Sequence, residues 1–486
     1  MRYRFEETNE TSPICEHNCV GGFSRLYTAI NQELQKHPDA ILLNAGDNFQ
    51  GTFWYNFYKW NATQHFMNKL AIDAYTLGNH EFDDKVEGVI PFIKALKAPV
   101  VVANINDSLE PIFQGIYKKS IILYREGRKI GIVGVTLTRI NTLSSTGQLI
   151  FLDEIESINK EAERLVLEEN VDTVVVLSHC GYEMEKTFAR KASPKISIIV
   201  GAHSHTLLLN EKTSLNGMKI GGPYPTVVTN EDGRKVLVVQ AAAFTNILGS
   251  ITLYFDKKGN VIFWKGDPIY LDKNIPQDPE INREIKIWRD NMEEISSTIV
   301  GYTDAMANHY LETTEKDAWA YASIALLNPG SLRMSISIGN ITVKKLLEAI
   351  PFDNTVDVVE IKGKCIKDIL ELSTASYDIE GKMNFLSLSG IHLKLNLSKP
   401  NAPNIESIKV LCRKCEIPYY EPLKMEETYR IVLNSFLIQG GDDFYLFKKC
   451  FLNKVVGDNY PKVIKRYIQK QNPIIQGIDD RIQVVY

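Results

Sequence analysis

The stretch "TLGNHEFDD" (Thr76–Asp84) sets Asn79 and His80 beside a glycine and follows them with Glu81, Asp83 and Asp84. Asn, Asp and His side chains suit borderline divalent metals, and His also handles protons near neutral pH. The stretch can therefore serve a metal, a reaction, or both. The same residue types recur where apolar runs end. "ILLNAGD" ends in Asp47, "TVVVLSH" in His179, and "SIIVGAHSH" in His203 and His205. Short runs rich in Val and Ile read as buried strands. In α/β sheets, ligands bind beyond the carboxyl ends of strands, which is where these side chains fall.

Their chemistry is coherent. A carboxylate has two oxygens and can bridge two ions, a role that fits Asp47. Two metals about 3.5–4 Å apart can clamp a phosphate ester and lower the pKa of a bound water. His80 follows the candidate ligand Asn79 and can stabilise charge on a transferring phosphoryl group. Asp83, three residues on, can hold that imidazole in position. Glu81 and Asp84 have no role legible from type and spacing. Gly46, Gly78 and Gly201 are read as places where the backbone turns sharply beside the site.

The elements that must position these residues follow from periodicity. "AILLNAGD", "APVVVANIN", "KIGIVGVT", "VDTVVVLSH", "KISIIVGAHSH" and "KVLVVQAA" read as strands, with helical segments such as "EIESINKEAERLVLEEN" between them. That alternation predicts an α/β domain over residues 1–280. A Pro- and Asp-rich stretch, "DPIYLDKNIPQDPE", reads as its boundary, and a charged helix at 281–300 as a linker. Residues 301–486 change character and predict a second, α+β domain. "ITVKKLLEAIPF" and "KCIKDILELSTAS" have helical spacing, "TVDVVEIKG" and "YRIVLNSFL" read as strands, and "GGDDF" as a tight turn. A chain of 486 residues is too long for one ordinary core. Its net charge of −4, without a long basic run, gives non-specific nucleic-acid binding no electrostatic support. No apolar stretch is long enough to span a bilayer.

"NAGDNFQGT", "LGNHEFD", "LSHCGYE" and "GAHSHT" together resemble, in order, the motifs of dinuclear metallophosphoesterases, and in detail those of the 5′-nucleotidase/apyrase family. The resemblance runs over nearly the whole chain, through "FEETNE", "VTNEDGRKV", "PLKMEE" and "GGDDF". It implies a four-layer αββα metallophosphoesterase domain followed by an α+β nucleotide-binding domain. It implies two divalent ions, zinc or manganese, with Asp47 bridging them. Asn79, His179 and His203 would complete one site and His205 would serve the other, with His80 and Asp83 as the catalytic dyad. The family also carries an Asp-x-His motif just before the segment seen here as Arg4–Thr8. In this chain its His position holds Arg2 and its Asp position precedes Met1. The first metal site would then keep only Asp47 and His205, too few ligands for a tightly held ion.

Two aromatic residues in the second half, Phe352 in "AIPFDNT" and Phe436 in "LNSFLIQGGDDF", read either as core or as a clamp for a flat base. The resemblance favours the clamp, with Asp442 accepting ribose hydroxyls. "NPGSLR" resembles the family's Asn-x-Gly-Gly-x-Arg: Asn328, Gly330 and Arg333 match, while Ser331 replaces a glycine and is expected to strain a turn. Arg333 would bind phosphate. "GYTDAMANHY" is short against the family's segment that bears a further phosphate-binding Arg. The expectation is a hydrolase of AMP-like nucleoside 5′-monophosphates, with the helix at 281–300 as a hinge. An apyrase acting on ATP or ADP, and a catalytically impaired nucleotide-binding homologue, stay open as alternatives. Homodimers occur in the family, but the sequence carries no interface signal.

The compartment is read from cysteines and termini. "CEHNC" and "CRKC" are each either a small disulfide loop or half of a zinc site, and no second pair lies at finger or ribbon spacing to complete one. Sequons at Asn9, Asn61, Asn106, Asn340 and Asn396 suit a secreted glycoprotein. Met1 is followed by charged residues in place of a signal peptide's apolar core, and "IDDRIQVVY" lacks a lipid-anchor tail. The full-length protein is expected to be extracellular or on the cell surface.

Overall fold

The run Thr173–His179 is a strand buried along its whole length, as a strand covered on both faces must be. It lies inside a six-stranded sheet in the first of the chain's two units, Met1–Asn291 and Met292–Tyr486. Across that sheet the order is Thr226–Thr229, Lys235–Val239, Ile196–Val200, Thr173–His179, Arg128–Thr136 and Ser120–Arg125. The inner strands run parallel and the edge strands pair antiparallel. This computed structural model describes residues 19–210, 219–303, 322–375, 385–396, 405–412, 415, 417–474 and 480–485.

The sheet holds together through branched side chains. Ile132, Val174, Val176, Ile199, Val236 and Val238 are all fully buried. The helix Glu154–Glu169 lays Ile158, Ala162 and Leu165 on that core, one stripe at helical spacing. Its start is fixed by the Asp153 carboxylate, which accepts the Glu156 N–H at 2.8 Å, and its end by Asn170 in a left-handed conformation. Truncating Leu165 to Ala would cost roughly 2–5 kcal/mol by opening a cavity under the sheet.

The first candidate ligands leave from a separate, shorter pairing. Leu43–Asn44 and Ala74–Tyr75 pair in parallel, and Tyr75 bridges in parallel to Val100. The loops that carry Asp47 and Asn79 therefore leave from the same end. The strand within "AILLNAGD" is cut to two residues, because the Asn44 side chain accepts the Gly46 N–H and starts the turn early.

The division between the units falls within the helix Pro279–Ser297. The second unit has a five-stranded mixed sheet in the order Ser387–Ser389, Ile324–Leu327, Thr428–Asn434, Val356–Lys362 and Lys454–Val455. A four-stranded sheet accompanies it, with Tyr420–Pro422, Ile405–Leu411, Ile391–Asn396 and Ile482–Val485. Ile324–Leu327 runs parallel to Thr428–Asn434, so Asn328 and Ser435 emerge at one end. Val356 lies opposite Asn434 in an antiparallel pair, which brings Phe352 to that same end. Cys365 is bonded to Cys450, and Cys412 to Cys415, so "CRKC" is a disulfide loop and no zinc half-site. Cys19 is also disulfide-bonded, whereas Cys15 lies outside the described residues. Among the described residues no helix is long and apolar enough to cross a membrane.

Candidate functional site

In the first unit Asp47, His179 and His203 converge, with one ligand atom of each within 4.8 Å of the others. His179 ends its strand fully buried. Its Nδ1 lies 2.6 Å from the Ala45 carbonyl, which fixes the proton there. Nε2 is then a lone pair, and it sits 3.1 Å from Asp47 Oδ2 without forming a hydrogen bond. A bare imidazole nitrogen facing a buried carboxylate oxygen is a pair of electron donors with nothing between them. A cation satisfies both, so this donor set fits a divalent metal. Burial opposes ionisation of Asp47, yet positive charge on the neighbouring His179 and His80 rings, when they are protonated, holds its carboxyl well below the usual range, so the pocket favours a carboxylate beside a cation. Burial, reinforced by His179, pushes the His203 imidazole down to about 4, so it is a neutral ligand at physiological pH. His203 Nδ1 lies 3.1 Å from Asn79 Oδ1, which joins Asn79 to the group.

The backbone is shaped for this convergence. Gly46 and Asp47 both have positive φ, at 82° and 57°, a tight turn that swings the carboxylate inward. Gly78 does not have positive φ, and its need is space. A Cβ there would lie 2.7 Å from the Asp47 backbone nitrogen and 2.8 Å from His179 Cε1. Gly201 likewise lacks positive φ, and the Glu185 carboxylate fills the place of its side chain. Of the glycines expected to turn sharply, only Gly46 does so; at Gly78 and Gly201 the reason is close approach.

The dyad is formed. His80 Nδ1 lies 2.7 Å from Asp83 Oδ2, and both side chains are buried. The His80 backbone N–H donates to Asp47 Oδ1 at 2.9 Å, which couples the His80–Asp83 pair to the Asp47–His179–His203 cluster. His205 stands outside the group, with its ring 5.5 Å from Phe244. Arg2 and the Asp-x-His position lie outside the described residues, as does the shortened segment "GYTDAMANHY" beyond Thr303.

In the second unit a polar network occupies the end of the paired strands. Asn328 donates through Nδ2 to Asp442 Oδ2 at 2.6 Å. Asn328 Oδ1 accepts from Asn434 Nδ2 at 2.9 Å and from Ser331 Oγ at 2.5 Å. Ser331 is not among the positive-φ residues, so the strain expected from replacing glycine is absent and its hydroxyl joins the network instead. Asp442 has φ 52° in the turn after Gly440, and burial raises its carboxyl pKa against the pull of Asn328 and Arg333. The Arg333 guanidinium sits 5.2 Å from the Phe352 ring centre. Phe436 lies over Gly441, where any side chain would strike its ring. Gly330 leaves room above Asn328 and Asp442, with an added Cβ 3.4 Å from each.

Residues 15–207 match the family model for calcineurin-like phosphoesterases, and residues 284–449 that for the 5′-nucleotidase C-terminal domain. Over 507 residues the chain is 41% identical to an apyrase of Tabanus yao, an alignment covering 99% of this chain and 92% of the relative. The chain belongs to the 5′-nucleotidase/apyrase family. It is also 37% identical to a 5′-nucleotidase of Homo sapiens, over 99% of this chain and 88% of the relative. A 5′-nucleotidase precursor from Thermus thermophilus has a similar structure, with a TM-score of 0.86 at 31% identity, covering 99% and 97% of the two chains. As a member of the 5′-nucleotidase/apyrase family, this chain is a two-domain α/β phosphohydrolase of a kind that works with divalent metal ions.

Three carboxylates and a serine around the family's site were not legible as functional residues. Glu81 is fully buried and accepts the backbone N–H groups of Asp47 at 2.9 Å, Asn48 at 2.5 Å and Gly78 at 2.7 Å. It ties the two loops that carry Asp47 and Asn79. Asp84 accepts from the Tyr55 hydroxyl at 2.7 Å and Lys59 at 3.3 Å. Glu185, also fully buried, takes the Ala202 N–H at 3.1 Å, the Ser178 hydroxyl at 3.1 Å and the Gln240 amide at 2.6 Å. It spans the neighbours of His179 and His203. Ser144 donates to Asp83 Oδ1 at 2.9 Å. Glu81 and Asp84 lie in the "GNHEFDD" stretch, but their partners, Gly78 apart, do not; Glu185 and Ser144 come from distant segments.

Proposed function

We propose that the chain hydrolyses nucleoside 5′-monophosphates of the AMP kind to nucleoside and phosphate. Asp47, Asn79, His179 and His203 would hold one divalent ion, zinc or manganese by their nitrogen–oxygen chemistry, and Asp47 with His205 would serve a second. When bound, such ions polarise a phosphoryl oxygen and favour deprotonation of water. His80 donates a hydrogen bond to a phosphoryl oxygen as negative charge builds there, and Asp83 keeps the imidazole's other nitrogen protonated. The water oxygen bonds to phosphorus, the bond to the ribose 5′-oxygen breaks, and that oxygen leaves with a proton. In the second unit Phe352 and Phe436 would stack on the base, Asp442 accept ribose hydroxyls, and Arg333, with Asn328 and Gly330 beside it, bind phosphate oxygens.

The observation that carries the reading is the buried His179 Nε2 facing Asp47 Oδ2 at 3.1 Å without a hydrogen bond. A second reading, an apyrase acting on ADP or ATP, is favoured by the 41% identity to a relative of that name. Phosphate release from AMP, ADP and ATP with added zinc or manganese, compared with His80→Ala, tests both. Release from AMP supports the first reading, and release from ADP and ATP alone supports the second. Retention of nucleotide with no release from any of the three would overturn hydrolysis. The Cys365–Cys450 and Cys412–Cys415 disulfides support an extracellular setting, which surface labelling of cells making the full-length protein would check.

A further inference from the structure

We propose that Ser144 is a positioning residue for the reaction, acting through Asp83 on His80; this rests on the roles given above to that pair. The carboxylate of Asp83 is divided between two partners. Oδ2 meets His80 Nδ1 at 2.7 Å, and Oδ1 accepts the Ser144 hydroxyl at 2.9 Å. His80 and Ser144 are buried and the Asp83 side chain is 6% exposed, so water competes little for either oxygen.

The placement of Ser144 has its own structural cause. The strand Arg128–Thr136 runs parallel beside Thr173–His179, with Thr136 opposite His179, so the two strands end together at the site. A short helix, Ile140–Leu143, follows. Ser144 stops that helix in extended geometry, φ −154° and ψ 170°, while its N–H still bonds to Ile140 at 2.9 Å. Its side chain reaches a carboxylate 61 positions away. A hydroxyl donating to a carboxylate is a charge-assisted bond, about twice as strong as a neutral one. Asp83 and His80 are only three residues apart on a tight turn, which leaves the carboxylate free to rotate about its own χ angles. Pinning Oδ1 from a different element removes that rotation and presents Oδ2 to His80 in one orientation. The result is a Ser144–Asp83–His80 chain in which the serine never touches substrate.

The test uses the full chain loaded with zinc or manganese and the variants Ser144→Ala, Ser144→Thr, Ser144→Cys, Asp83→Asn and Ser144→Ala/Asp83→Asn. Losing an outer partner of this kind costs about 10- to 100-fold in activity. Ser144→Ala should lower kcat by that factor and leave KM within about twofold. Ser144→Thr, which keeps the hydroxyl, should restore most of the rate. In the Asp83→Asn background, Ser144→Ala should add nothing, because its route to His80 is already cut. With ¹⁵N-labelled histidine, the Nδ1 proton signal of His80 should move upfield in Ser144→Ala. A normal kcat in Ser144→Ala, or losses that multiply in the double variant, would overturn the proposal. Should Ser144→Ala fail to fold, Ser144→Cys carries the same test, since a thiol fills the space and donates weakly. If Asp83→Asn itself keeps full activity, the dyad reading falls and Ser144 with it. If Asp83→Asn is impaired and Ser144→Ala is not, Ser144 alone is wrong.

Discussion

The Glu81 carboxylate accepts the backbone N–H of Asp47 at 2.9 Å, from 34 positions along the chain. It holds two further N–H groups in the same way, and all are buried. Glu81→Ala would leave them without acceptors, at about 1–3 kcal/mol each. The expected loss of stability is on the order of 3 kcal/mol or more, read from denaturant melts. A loss below about 1 kcal/mol would mean that the clamp matters little.

Metal removal should expose the lone-pair contact between His179 and Asp47. An ion held at about a hundred times its Kd stabilises the folded state by roughly 2.7 kcal/mol. The melting temperature should fall when chelator is added to the wild-type chain. In His179→Ala the chelator should change little, since one donor of the group is gone. Equal shifts in the two proteins would place the ion elsewhere.

His203 should make the metal-free chain sensitive to mild acid. Its imidazole titrates at about 4 in the fold because it is buried, against about 6.5 in an unfolded chain. Between those values the unfolded state binds a proton that the folded state refuses, so stability falls as pH drops. The contribution is complete above about pH 6.5 and is lost towards pH 4, on the order of 2–3 kcal/mol after allowance for partial exposure. Melts of wild type and His203→Gln at pH 7.5 and 4.5 would read it. Parallel curves would contradict the burial argument.

The two aromatic residues of the second unit make a prediction about affinity. Stacking of a base on an aromatic ring is worth about 1–3 kcal/mol. Phe352→Ala and Phe436→Ala should each raise KM by about 5- to 100-fold, with kcat changed far less. Phe352→Ala has a second effect, because the ring also lies against the Arg333 guanidinium. Tryptophan at either position should keep KM near wild type, and a fall in kcat without a change in KM would rule out stacking.

How much of this was legible depends on whether a residue acts locally or through the fold. Asp47, His179 and His203 were legible because each follows an apolar run whose strand character is plain, and parallel strands deliver their ends to one edge. The dyad was legible because three residues of one turn suffice to make it. Glu81 was adjacent and still obscure, since its partners are backbone N–H groups that any sequence could supply. Ser144 and Glu185 were invisible because their partners lie far away in the chain. Gly78 and Gly201 were noticed for the wrong reason, because a close approach leaves no mark on local sequence. Ser331 did not strain its turn, because the Pro329–Ser331 segment is a 3₁₀ turn of ordinary φ that offers its hydroxyl a partner. Only spacing pairs cysteines in a sequence, so Cys412–Cys415 could be weighed and Cys365–Cys450 could not.

That second bridge changes the covalent topology of the second unit. Cys365 and Cys450 are 85 positions apart, and the ring they close contains Asn434, Phe436 and Asp442. A protease cutting once anywhere inside that ring releases no fragment. The nicked chain stays one molecule until a reductant arrives. In a protease-rich fluid such a protein can be cleaved and still run as intact on a non-reducing gel.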